Sequence, residues 1–92
     1  MSDLYTYAPG QIVLYGTAAC GDCRRARQVL NDNKINYLDI DIDQDNMAAE
    51  FVIKHNRGYR SAPTIVFPDG STLTEPDRAT LTEKIQTYKT TA

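Results

Sequence analysis

A strand that hands over to a helix through Cys20-Gly-Asp-Cys23 is the feature that most constrains this chain. The apolar run Ile12-Val-Leu-Tyr15 reads as a short β-strand stopping at Gly16; the two cysteines follow, and the segment after them reads as a helix through about Asn33. Two thiols are thereby set at the head of a helix. Unpaired backbone N–H groups and the positive end of the macrodipole favour an anion there, which makes Cys20 the candidate nucleophile, since the thiolate is the reacting form. Cys23, at i+3, lies on nearly the same face of the first turn. It is close enough for a disulfide of ordinary geometry and can attack a mixed disulfide formed on Cys20. Arg24, Arg25 and Arg27 favour a thiolate nearby, and Asp22 opposes it.

Two other uses of such a pair are weaker. A structural zinc site needs two further Cys or His ligands, and the chain holds only these two cysteines and His55. An inert disulfide belongs to exported proteins, and residues 1–10 show neither the basic nor the apolar region of a signal peptide. Ninety-two residues, 41% hydrophobic and 24% charged, make one domain with a modest core. A formal net charge of −2 gives no sign of a nucleic-acid or membrane surface, and no apolar run has the length of a membrane span. These features point to the reducing cytoplasm, where a lone Cys-x-x-Cys is more often redox-active than structural.

Residues 1–11 read as a flexible N-terminal leader, with Pro9-Gly10 a turn ahead of the first strand. The helix at about 21–33 carries an apolar stripe of Ala26, Val29 and Leu30, and Asn31-Asp-Asn-Lys34 stops it. In Ile35–Asp43, Ile40 and Ile42 alternate with Asp39, Asp41 and Asp43, the period of a strand near a polar surface. Counted from Asp39, these acids and Glu50 also match the acidic positions of a calcium loop. Gln44 stands where that loop needs glycine and Met47 where it needs an oxygen, so the strand is preferred and no metal is expected.

Asp45 or Asn46 caps a second helix to about His55, with Met47, Phe51 and His55 along one side and Ala48 and Val52 beside them. His55 suits the C-terminal end of that helix, and no partner pattern marks it as a general base. The polar loop Asn56–Pro63 leads to a strand at Thr64–Phe67; Pro68-Asp-Gly70 turns it back into a short strand at Ser71–Thr74, an antiparallel hairpin. Pro76 opens a last helix, Asp77 complements its dipole, Leu81, Ile85 and Tyr88 recur at helical spacing, and residues 90–92 are expected to fray. The order βαβαββα predicts an α/β fold over residues 12–89: one domain, with a four-stranded mixed sheet flanked by three helices and the first two strands parallel.

This order, with Cys-x-x-Cys heading the first helix and Pro63 just before the third strand, resembles the thioredoxin fold and, within it, the small glutaredoxins. The likeness runs from Ile12 to about Tyr88 and is carried by Tyr15, Thr17, Cys20-Gly21, Cys23, Asn56, Arg60, Pro63-Thr64, Phe67, Asp69-Gly70-Ser71, Leu73-Thr74 and Pro76. Within that branch the chain is most similar to the mycoredoxins and their glutaredoxin-like relatives. The resemblance implies a thiol–disulfide oxidoreductase in which Cys20 attacks and Cys23 resolves. It implies that Pro63 is cis and faces the active site, with Ala62 offering its backbone N–H and C=O to an extended substrate. It also implies that Arg60, Thr74 and Asp77 contact a low-molecular-weight thiol, mycothiol or glutathione, which serves as co-substrate without any bound cofactor. The implied partners of a monomer are disulfide-containing proteins, with an NADPH enzyme of the thioredoxin reductase type as an alternative electron source.

The chain departs from the pattern in several places. Gly21-Asp22 replaces the Pro-Tyr of many glutaredoxins and the Gly-Tyr of mycoredoxins, and puts an acid beside the nucleophile that disfavours acidic thiol substrates. Thr17 and Ala19 stand where a basic and an aromatic residue are common, and Thr74-Glu-Pro-Asp77 occupies the region of the Gly-Gly-x-x-Asp glutathione signature. Three other readings use the same cysteines: a dithiol electron carrier, an iron–sulfur carrier in which Gly21 leaves room for a cluster between two chains, and a redox-sensing module without turnover.

Overall fold

The computed structural model describes residues 3–91, so that Met1 and Ser2 of the expected leader and Ala92 of the expected tail lie outside the described residues. Its elements are β1 (Ile12–Gly16), α1 (Gly21–Asp32), β2 (Tyr37–Asp41), α2 (Asn46–His55), β3 (Thr64–Val66), β4 (Thr72–Thr74) and α3 (Arg78–Thr91). The sheet order is β2-β1-β3-β4, with β1 parallel to β2 and β3 antiparallel to both of its neighbours.

β1 dictates this layering. Its residues are apolar on both faces and fully buried, so both faces need cover. Ile12 and Leu14 point into a core with Ala26, Val29 and Leu30 of α1 and Leu81 and Ile85 of α3. Val13 and Tyr15 point into a second core with Ala48 and Val52 of α2. Each fully buried aliphatic side chain contributes about 1.5–3 kcal/mol relative to exposure, so the alternation along one strand secures all three helices.

Helix ends explain where the elements stop. Lys34 takes the left-handed conformation (φ 57°) after α1, its N–H donates to the Asn31 carbonyl and that of Ile35 to the Leu30 carbonyl, both at 3.0 Å. These two bonds close the helix, and Ile35 packs on the core that holds Leu30. Asp45 caps α2, its Oδ1 accepting the Ala48 N–H at 3.1 Å.

Several details differ from the sequence reading. Met47 is 62% exposed, and Ala48 and Val52 take the core face of α2. The Asp45 cap and the surface of β1 set the phase of this helix, neither of which Met47 can influence. Ile42 falls one residue beyond β2, where its N–H donates to the Gly16 carbonyl (2.9 Å) and its side chain stays buried beneath α2. Asp77, not Pro76, marks the start of α3: its Oδ1 accepts the Thr80 N–H at 2.7 Å and its carbonyl the Leu81 N–H at 3.1 Å. The three aspartates of the β2 segment go to separate partners, Asp39 to Arg27, Asp41 to the Asp43 N–H and Asp43 to Arg60.

Ahead of β1, the Tyr5 N–H donates to the Tyr15 hydroxyl (2.9 Å) and the Tyr5 hydroxyl to Asp45 (2.6 Å). The Tyr7 ring lies 5.1 Å from that of Phe51, and its hydroxyl bonds His55 Nδ1 at 2.7 Å. At the other end α3 runs through Thr91, two residues into the tail that was expected to fray.

Candidate active site

The βαβ crossover brings the head of α1 to the C-terminal end of β1. Cys20 is the residue before the helix, with extended backbone, and its Sγ accepts the Cys23 N–H at 3.1 Å. That is the place of a helix cap, filled here by sulfur in place of the usual oxygen, and an N–H aimed at the sulfur stabilises negative charge on it. The Cys20 thiol is half-buried and donates to the Ala62 carbonyl at 3.6 Å. Cys23, in the first turn, is fully buried, and both cysteines are free thiols.

The two sulfurs are therefore unlike. Burial pushes the Cys23 thiol up to about 11, with a hydrogen bond and the charge of Cys20 acting in the same direction; the Thr17 N–H and the Arg27 charge pull against it. On the solvent side, Asp22 and Arg25 pair at 2.9 Å, each about two-fifths exposed, so the acid beside the nucleophile has a counter-charge. Such a surface pair is worth under about 1 kcal/mol.

The residues implied as substrate contacts separate into two groups. Ala62 and Pro63 lie at the thiols, and the Ala62–Pro63 peptide bond is cis, as the resemblance implied. Thr74 is beside them through its pairing with Thr64, and its hydroxyl donates to Asn56 Oδ1 at 3.1 Å. Arg60 turns away to the end of β2, donating to the Ile42 carbonyl (3.3 Å) and Asp43 (2.8 Å). Asp77 caps α3; the Thr80 N–H above all holds its carboxyl below the usual 3.8, and the charge of Arg25 reaches it.

Three features escaped the sequence reading. Thr17 acts through its backbone, Glu75 takes a left-handed conformation (φ 49°) and donates its N–H to the Pro63 carbonyl at 2.8 Å, and Asp39 meets Arg27 at 2.8 Å. Of these only Arg27 had a signal, its i+4 spacing from Cys23. A hollow lined by Phe67, Pro68, Lys84 and Tyr88 contains neither cysteine. Among the described residues no three His, Cys, Asp or Glu side chains gather to hold a metal, and no helix is long and apolar enough to cross a membrane.

Fold and site together define a thioredoxin-like protein with a dithiol at the head of its first helix. The solved glutaredoxin of Archaeoglobus fulgidus shares this fold, with a TM-score of 0.71 at 22% identity over 92% of this chain and 96% of that one. Residues 12–71 match the glutaredoxin family. A Mycobacterium tuberculosis protein described as a glutaredoxin is 46% identical over 63 residues, 68% of this chain and 75% of the relative. Mycoredoxin 1 of Corynebacterium glutamicum is 35% identical over 75 residues, 82% of this chain and 92% of the relative. The chain belongs to the glutaredoxin family and is a thiol–disulfide oxidoreductase. Members of that family act on low-molecular-weight thiols and protein disulfides.

Proposed function

We propose that the protein reduces mixed disulfides of low-molecular-weight thiols, and protein disulfides, through Cys20 and Cys23. The Cys20 thiolate attacks the substrate disulfide and expels one thiolate, which leaves the other half bonded to Cys20. A second small thiol, or Cys23, then attacks Cys20 Sγ and releases it. The observation that carries this reading is the inequality of the two thiols: one is half-exposed with an N–H on its sulfur, the other fully buried behind it. The surroundings of Cys23 support the same order of events. Burial aside, Cys20 is what raises the Cys23 thiol, and a Cys20 held in a mixed disulfide no longer carries the charge that does so.

Ala62 and the cis Pro63 form the wall along which an extended substrate lies in this reading, and Thr74 and Asp77, joined by Arg60 once it swings back from Asp43, contact the polar end of the thiol. Each of these three has a partner within the protein, so a ligand must compete for it. Similarity to mycoredoxin 1 favours mycothiol over glutathione as co-substrate, and no bound cofactor takes part. The working unit is residues 12–89 acting as a monomeric domain in the reducing cytoplasm.

The test is turnover of a small-thiol mixed disulfide with mycothiol, with glutathione, and with thioredoxin reductase plus NADPH. Activity with one small thiol, kept by Cys23→Ser and lost in Cys20→Ser, is expected. Turnover that survives Cys20→Ser refutes the reading, and activity only with the reductase, lost in Cys23→Ser, replaces it with a dithiol electron carrier.

A further inference from the structure

The resolving thiol is enclosed where burial disfavours the ion it must become, so its neighbours decide how readily it reacts. Arg27 stands on α1 at i+4 from Cys23, on the same helix face. Its Nε donates to Asp39 Oδ2 on β2 (2.8 Å) and its Nη2 to the Thr17 carbonyl (3.2 Å), and the side chain is only 22% exposed. The backbone N–H of the same Thr17 favours the Cys23 thiolate. Gly16 shows how close the thiol and the guanidinium come: a Cβ there would lie 2.9 Å from Cys23 Sγ and 3.3 Å from Arg27 Nη2. Cys20 at the cap and Arg27 on the same helix as Cys23, with Asp39 of β2 behind Arg27, are the titratable and charged groups around Cys23 among the described residues, and β1 and its following loop contribute backbone.

We propose that Arg27 is a positioning residue for the resolving step: it holds a guanidinium beside Cys23 and, through the Thr17 carbonyl, fixes the Thr17 backbone next to it. Asp39 aims the guanidinium by holding its Nε. The inference rests on the division of labour proposed above, with Cys20 attacking and Cys23 resolving. In the step itself the Cys23 thiol gives its proton to solvent and its sulfur bonds to Cys20 Sγ. The bond from Cys20 to the substrate sulfur breaks, and the electron pair leaves on the substrate thiolate. The substrate is reduced and the cysteine pair oxidised. Both groups that Arg27 arranges act on the sulfur that must become negative, and neither touches Cys20.

The test is the reaction of the reduced protein with dithiobis-nitrobenzoate, a chromogenic aryl disulfide. The first equivalent of nitrothiobenzoate marks attack by Cys20, and the second marks attack by Cys23 on the resulting mixed disulfide. An opposite charge within about 4–6 Å moves a thiol by about one unit or more. In Arg27→Gln the second phase should therefore slow by about threefold or more at neutral pH, since each unit cuts the thiolate about tenfold while raising its nucleophilicity about threefold, and its pH midpoint should rise, with the first phase unchanged. Arg27→Lys should recover most of the pH midpoint but not the full rate, because it keeps the charge and loses the planar fork that spans Asp39 and Thr17. If Arg27→Gln does not fold, the Arg27→Lys profile carries the test: a midpoint displaced as far as loss of the charge requires refutes the proposal. A second phase with wild-type rate and pH profile in Arg27→Gln refutes it, as does equal slowing of both phases, the mark of a packing defect. Cys23→Ser separates this from failure of the cysteine roles. A second phase that survives Cys23→Ser overturns those roles and this inference together, whereas an unshifted Arg27→Gln profile with intact dependence on Cys23 overturns Arg27 alone.

Discussion

Replacing Gly16 by alanine puts a methyl group into the tightest point of the site. The new Cβ would lie 2.9 Å from Cys23 Sγ, 3.1 Å from Leu14 Cδ2 and 3.3 Å from Arg27 Nη2. The three neighbours cannot all recede. Leu14 is locked in the core under α1, Cys23 is anchored in the first helical turn, and Arg27 can swing out only by giving up the Thr17 carbonyl. Forcing an extra methyl group into a packed interior costs about 1–3 kcal/mol. In a domain of about 60–100 residues each kcal/mol moves Tm by about 4–8 °C, so Gly16→Ala should melt roughly 5–20 °C below wild type. Gly21→Ala is the internal control, since nothing lies within 4 Å of the Cβ it would add. As the first residue of α1 it should stabilise by about 0.4–1 kcal/mol, through the smaller entropy of the unfolded chain. Thermal melts of the reduced proteins at one pH, followed by circular dichroism, read both. Wild-type melting of Gly16→Ala would show that the side chains yield without cost. Equal losses in both variants would show that backbone freedom, and not space, sets the need for glycine. Either result refutes the reasoning.

Lys34→Gly removes a side chain from a left-handed position and keeps both bonds that close α1; a gain of up to about 1 kcal/mol is expected, read as a higher urea midpoint at unchanged slope. Acid should unfold the protein through Asp45, Asp69 and Asp77, held below the usual 3.8 chiefly by the Tyr5 hydroxyl, the Ser71 hydroxyl and the Thr80 N–H respectively. A carboxyl lowered in the folded state stabilises fully above its unfolded value, and that contribution is lost as pH falls through the folded one. The urea midpoint should therefore hold near neutrality and drop below about pH 4, and Tyr5→Phe should shrink the drop by removing the largest cause acting on Asp45. An acid limb unchanged in Tyr5→Phe would dissociate Asp45 from it.

The element order and the position of the thiols were legible because they rest on local periodicities. Ile12 to Tyr15 reads as a strand, and Ala26, Val29 and Leu30 as a helical stripe, from spacing alone. What spacing could not show was phase and partnership. Met47 is one of the large apolar residues of α2, but the cap at Asp45 and the shape of β1 turn it to solvent. Arg27 was recognisable as a cation near the cysteines, while its partner Asp39 lies on another element and is set opposite it only by the β1–β2 register. Thr17 and Glu75 contribute backbone N–H groups, and a backbone group leaves no mark in the side-chain pattern. The tyrosines at 5 and 7 carried no periodicity, and their partners Tyr15, Asp45 and His55 come from elements that the chain reaches later.

The spacing of the two cysteines follows from helix capping more directly than from disulfide geometry. A cap residue accepts the N–H of the residue two or three positions on. With Cys20 as cap, the donor is the N–H of Cys23 itself, so the residue that stabilises charge on the first sulfur also carries the second. The cap side chain faces out past the helix end, whereas the third helical position faces the sheet, and three residues of chain thus suffice to make one thiol half-exposed and its neighbour fully buried. A Cys-x-x-x-Cys variant, with one residue inserted between the cysteines, would break this arrangement. The cap would then meet the N–H of the inserted residue, the second thiol would turn about 100° around the helix axis, away from Gly16 and Thr17, and the neighbours that prepare it for attack would be left facing another side chain.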